Sequence, residues 1–128
     1  MQRKLYFISL IILFSLFSII PTTAQKIGHI TLLAVSEATQ IGSTADLYLR
    51  VQEGSGGVYI DTFPLTKLDT QLSTRFAQQI ACDFVEEECA EKDFFYTIRS
   101  DATIIGGPSA GAALATLTVA MLDDHIIN

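Results

Sequence analysis

Residues 109–123 limit the architecture more than any other stretch of the chain. They are Ala, Leu, Val and Met almost all round. Such a composition is helical, and a helix with so little polar surface has to be buried. The covering layers must come from the rest of a 128-residue chain, a length that allows one ordinary domain and not two.

The covering elements read as strands and one further helix. Residues 28–35 (GHITLLAV) are apolar and β-branched, a good first strand, and residues 36–44 are polar and turn-like. Residues 45–52 alternate, with Ala45, Leu47, Leu49 and Val51 on one face and Asp46, Tyr48, Arg50 and Gln52 on the other. Period two predicts a half-buried strand. Residues 53–57 (EGSGG) read as a hairpin loop leading into a strand over 58–63. A glycine-rich loop between two strands is a turn rather than a phosphate cradle, which needs a helix start. Thr66-Lys67-Leu68-Asp69 fits a capping box. Leu68, Leu72, Phe76, Ile80 and Phe84 then recur every four residues. That spacing predicts an amphipathic helix with this stripe in the core and Arg75, Gln78 and Gln79 toward water. Residues 94–99 (FFYTIR) predict another strand, and residues 100–108 a loop. The expected class is therefore α/β (α+β).

The first 24 residues stand apart. Arg3 and Lys4 precede an uncharged run of 16 residues, 5–20, closed by Pro21 and followed by Thr22-Thr23-Ala24. Basic start, apolar middle and small-residue site are the parts of a secretory signal. The competing reading is a membrane anchor, although a spanning helix needs about 20 residues. In both cases the basic flank stays in the cytoplasm and the rest is exported. Residues 1–24 are thus expected to be a signal peptide or hydrophobic anchor helix, and residues 25–128 the folded domain. That domain holds all 14 acids and only six of the eight bases, a net charge of −8. Such an acid excess excludes nucleic acid, whose phosphates want Lys and Arg. No G-x-x-x-x-G-K-[ST] is present, so the chain carries no P-loop ATPase.

Export makes Cys82 and Cys89 a disulfide candidate. In one continuous helix their Cα atoms would lie about 10.5 Å apart, beyond the roughly 7 Å limit for a bridge. A bond therefore requires the helix to end between them; two free thiols on an unbroken helix are the alternative. The spacing is not a zinc pattern, and no metal or cofactor is expected. At the other end, Ile126 and Ile127 look like the opening of a strand, so the sequence is expected to be a fragment.

The chemistry concentrates at Gly106-Gly107-Pro108-Ser109-Ala110-Gly111. Here a strand passes through a short loop into the first turn of the buried helix. N–H groups at a helix start lack partners and carry the positive end of the macrodipole. A serine there sits beside ready donors for a developing oxyanion. Gly106 and Gly107 let backbone approach a ligand, and Ala110 and Gly111 keep the first turn slim. The bland reading is a capping serine after a glycine turn.

Gly107-Pro108-Ser109-Ala110-Gly111 resembles the nucleophile motif of Lon-type serine proteases. The order of strand, loop, motif and Ala-rich helix resembles the middle of a Lon proteolytic domain, over roughly residues 26–128. The likeness is greatest to the stand-alone, exported Lon-like proteins of archaea. The resemblance implies a β-α-β sandwich of a small mixed sheet packed with helices, a polypeptide substrate and assembly into a homo-oligomer. It also implies a Ser-Lys dyad in which Ser109 is the nucleophile and a desolvated lysine the general base. The family's lysine follows the serine by a few dozen residues. Residues 110–128 contain no lysine, and Lys4, Lys26, Lys67 and Lys92 all precede the motif. The chain is thus expected to supply only the nucleophile half and to be inactive alone. Gly106 also replaces the acidic residue that often precedes the family motif.

Three other readings compete. An α/β-hydrolase elbow shares G-x-S-x-G. Its Asp and His partners would have to be Asp123, Asp124 and His125, about 20 Å away along the same helix, and His29 reads as a strand residue. A phosphate-binding loop of the related small-molecule kinase fold suits a helix start but not an acidic, exported domain. A non-enzymatic exported binding domain would keep the fold without the chemistry.

Overall fold

The computed structural model describes residues 25–35, 39 and 41–124, together with Tyr6. The signal or anchor expected over residues 1–24 lies outside the described residues except for Tyr6, as does the strand opening expected after Asp124. Among the described residues, no helix is long and apolar enough to cross a membrane.

Strands β1 (Ile27–Val35), β2 (Gly42–Glu53) and β3 (Val58–Thr66) are followed by helix α1 (Leu68–Val85), strand β4 (Lys92–Ile105) and helix α2 (Gly111–Leu122). They form a small mixed α/β fold, as the sequence pattern indicates. The sheet order is β1-β2-β4-β3. β2 runs antiparallel to both β1 and β4, while β3 is parallel to β4. Parallel neighbours cannot be joined by a tight turn, and α1 makes the crossover between β3 and β4.

That order corrects the expected hairpin. β4 is inserted between β2 and β3, so the loop at 53–57 does not close a two-strand turn. Its own amides explain why. Gly54 N–H donates to the Glu91 carbonyl at 2.8 Å, and those of Ser55 and Gly57 donate to the Asp93 carboxylate at 2.9 and 2.8 Å. The glycine-rich loop is clipped over the start of β4.

The period-two alternation of β2 is realised as expected. Ala45, Leu47 and Leu49 are buried and pair in register with β4, Leu47 opposite Ile98 and Leu49 opposite Tyr96. With Phe94 they form the sheet side of the core, and Leu114, Leu117 and Met121 of α2 form the helix side. Gly28 lets α2 close onto edge strand β1. A Cβ there would lie 2.7 Å from Met121 Sδ and 2.9 Å from Leu117 Cδ1. Within this core the Thr118 hydroxyl donates to the Leu114 carbonyl at 2.7 Å and stands 2.7 Å from the Tyr96 hydroxyl. Thr118 has one proton to give, so Tyr96 is the donor of that pair. Burial pushes the Tyr96 phenol well above its ordinary pKa and keeps it protonated.

Helix α1 is turned the other way from its expected orientation. It buries Thr70, Thr74, Ala77, Ala81 and Cys82, while Leu68, Leu72, Phe76, Ile80 and Phe84 are exposed. The reason lies in side-chain size. α1 packs against α2 through its small residues, which let two helices approach closely, and the bulky stripe is left on the opposite side. Arg75 and Gln79 do face water, and Gln78 is half-buried. The helix ends at Val85, with Glu86 at φ 55°. This break brings the Cys82 and Cys89 Cα atoms to 6.1 Å, and the two are joined in a disulfide. A further correction concerns β4, which runs to Ile105, so the loop expected over residues 100–108 shrinks to its last residues.

Candidate functional site

Strand β4 lies inside the sheet, and α2 is tied to it by the Tyr96–Thr118 hydroxyl pair, so the segment between them is fixed at both ends. Only Gly106 and Gly107 are irregular. A 3-10 turn, Pro108–Ala110, leads directly into α2. Ser109 is the middle residue of that turn and is exposed. It does not serve as a helix cap: Ala110 occupies the N-cap of α2 and Gly107 that of the 3-10 turn, neither with a side-chain cap bond. The hydroxyl therefore stands on the surface at the positive end of the α2 dipole.

The two glycines have different jobs. Gly107 sits at φ 100° and ψ 147°, a conformation L side chains rarely adopt. Its missing Cβ would lie 3.9 Å from Ser109 Oγ. Gly106 lies under the stem of Lys67, where a Cβ would come within 2.6 Å of Lys67 Cδ. Gly111 is half-buried and turned toward α1, where an added Cβ would make ordinary contact with Ser73 at 3.8 Å.

The first turn of α1 holds this loop. The Gly107 N–H donates to Asp69 Oδ2 at 3.1 Å, and the Thr70 hydroxyl, with one proton to give, stands 3.4 Å from Asp69 Oδ1 and 3.5 Å from the Gly107 carbonyl. The other Asp69 oxygen, Oδ1, accepts the Thr70 N–H at 2.7 Å. The Gly107 N–H holds the Asp69 carboxyl below the usual aspartate pKa, helped by Thr70 and by the nearby Lys67 charge against a smaller opposing effect of burial. The capping box expected from Thr66 to Asp69 is thereby corrected. Lys67 is the N-cap residue, with no side-chain cap bond. The acid that would have closed the box reaches across to Gly107 instead.

This arrangement changes the expected donor set. The Gly107 N–H is taken by Asp69, and the Gly111 N–H donates to the Pro108 carbonyl within the turn. Pro108 has no N–H. The backbone donors next in line for an oxyanion are those of Ser109 and Ala110. Lys67, Asp69 and Thr70 were not singled out from sequence as site residues. Their one signal, an acid three residues after Thr66, points to a local cap rather than to a loop 38 residues downstream.

The remaining predicted groups lie elsewhere. His29 is on β1, its Nε2 2.9 Å from Asp46 Oδ1 and its ring stacked on Tyr48. The disulfide lies at the far end of α1, beside a shallow groove of about 310 Å³ lined by Gln78, Gln79 and Asp83.

No family model matches the chain, and no curated protein does. Among solved structures, one it is similar to is that of L. major mevalonate kinase in complex with R-mevalonate, at 14% identity and a TM-score of 0.41. The match covers 77% of this chain, which spans 35% of the kinase chain.

Proposed function

We propose that this chain carries the nucleophile half of a Ser-Lys endopeptidase, with Ser109 attacking the carbonyl of a polypeptide substrate. The observation that carries the reading is the placement of Ser109: exposed, on a turn between a central strand and a buried helix, and not occupied as a cap. The G-P-S-A-G resemblance supplies the reaction class. In that reading the Ser109 and Ala110 N–H groups face the oxyanion as the carbonyl becomes tetrahedral. The general base is a desolvated lysine that arrives from outside residues 110–128. Lys67 lies close to the motif but is exposed, without the burial that lowers a lysine to a working base. The domain acts outside the cytoplasm, reached through residues 1–24, and a homo-oligomer is the form in which it would work. Phosphate binding at the same loop is disfavoured because the Asp69 carboxylate already occupies the Gly107 N–H.

A fluorophosphonate tests the reading, because it reacts with activated serines, and it is applied to protein in which the lysine half of the dyad is also present. The expected result is an adduct mapped by peptide mass to Ser109, absent from Ser109→Ala. Such a protein left unmodified at Ser109 favours the non-enzymatic binding domain. Residues 1–128 alone are expected to turn over no peptide; turnover abolished by Ser109→Ala would overturn the half-dyad.

A further inference from the structure

Asp69 joins the start of α1 to the glycine loop through its two oxygens. Oδ1 accepts the Thr70 N–H of its own helix, and Oδ2 accepts the Gly107 N–H. A residue serving only its helix would use one oxygen and point along the axis. Thr70, almost fully buried, places its hydroxyl between Asp69 Oδ1 and the Gly107 carbonyl, at 3.4 and 3.5 Å. The Gly107 N–H is thus held by Asp69, and its carbonyl faces the hydroxyl of the next residue of α1. The residue so held is Gly107, whose positive φ sets the direction in which the chain enters the Ser109 turn. A glycine in open solvent samples many backbone conformations and loses that freedom only when something fixes it.

We propose that Asp69, seconded by Thr70, is a positioning residue for Ser109: it fixes the Gly107 backbone and so sets where the Ser109 hydroxyl points. The inference rests on the nucleophile reading of Ser109. It also assigns the division of labour among the backbone donors. Asp69 takes the Gly107 N–H out of the oxyanion set and leaves those of Ser109 and Ala110 for the substrate. The carboxylate is suited to this because it can accept two N–H groups at once. An asparagine offers a single oxygen and can satisfy one of the two. The charge acting on Asp69 comes from Lys67, at the N-cap of the same helix, and the loop side presents the Gly107 backbone. Ionised Asp69 is therefore the state expected at neutral pH.

The test compares wild type with Asp69→Asn and Asp69→Ala by two readouts, the second taken with the lysine half of the dyad present. Amide hydrogen exchange at Gly107, followed by NMR, reports the hold itself. The rate of fluorophosphonate labelling at Ser109 reports what the hold does. Losing a hydrogen bond to a charged acceptor is expected to speed Gly107 exchange about tenfold in Asp69→Ala, while the amides of Leu117 and Thr118 keep their protection. Labelling of Ser109 should slow by a comparable factor of about five to ten. Asp69→Asn should fall between wild type and Asp69→Ala in both. Unchanged Gly107 exchange in both variants overturns the proposal, and so does faster exchange with an unchanged labelling rate. These outcomes leave the nucleophile reading standing. A wild-type protein that exchanges as described but never labels at Ser109 with the lysine half present overturns the nucleophile reading, and the positioning role with it. Loss of protection at Leu117 and Thr118 in Asp69→Ala would mark unfolding, and Asp69→Asn then decides alone.

Discussion

Helices α1 and α2 lie side by side and meet water in opposite ways. α2 buries its large residues, Leu114, Leu117 and Met121, against the sheet. α1 buries threonines and alanines and leaves three aliphatic and two phenylalanine side chains outside, with Phe76 61% and Phe84 75% exposed. Hydrophobicity alone would have turned α1 the other way. The difference teaches that the closeness of approach between two helices, set by small residues at Thr70, Thr74, Ala77 and Ala81, can decide which face is inward. It also has a consequence for the site. The threonine face of α1 is the one that carries Thr70, and with Asp69 beside it, to the Gly107 loop. Rolled onto its apolar stripe, the helix would carry Thr70 away from that loop.

Three substitutions break or sharpen this contrast. Leu117→Ala removes a fully buried side chain from α2 and should cost about 2–5 kcal/mol, read as a lowered urea midpoint with an unchanged slope. A cost near zero would mean α2 is not the core helix. Ala77→Leu places bulk on the small face of α1 and should cost about 1–3 kcal/mol by overpacking, measured the same way. If it stabilises the chain, the two helices are not in close contact. Phe76→Gln, on the exposed stripe, should change stability by less than about 0.5 kcal/mol. A loss of several kcal/mol there would show that the stripe is covered in solution.

Much of this was legible in the sequence, for identifiable reasons. The β2 alternation from Ala45 to Gln52 has one interpretation, because a shift of one residue would expose Leu47 and Leu49. The apolar run after Ser109 could only be a buried helix. The distance limit on a disulfide told where α1 would have to stop if Cys82 and Cys89 were joined. The parts that were not legible depend on contacts between distant residues. The position of β4 between β2 and β3 is secured by Asp93 reaching back to the amides of Ser55 and Gly57. No local pattern near Glu53 to Gly57 announces that. The roll of α1 was ambiguous because the helix has two candidate faces, one of large residues and one of small. The role of Asp69 was concealed because a local capping box and a long-range tether use the same residue.

The central claim is that Ser109 is chemically distinguished by its place at the loop-to-helix junction. Ser55 supplies the internal comparison, being equally an exposed serine on a glycine-rich loop but preceding a strand. The direct measurement is the ratio of fluorophosphonate incorporation at Ser109 to that at Ser55 in the same folded protein with the lysine half of the dyad present, followed by peptide mass. The account predicts modification at Ser109 well ahead of Ser55, with the excess abolished by denaturation. Equal, or equally absent, modification of the two serines would contradict it.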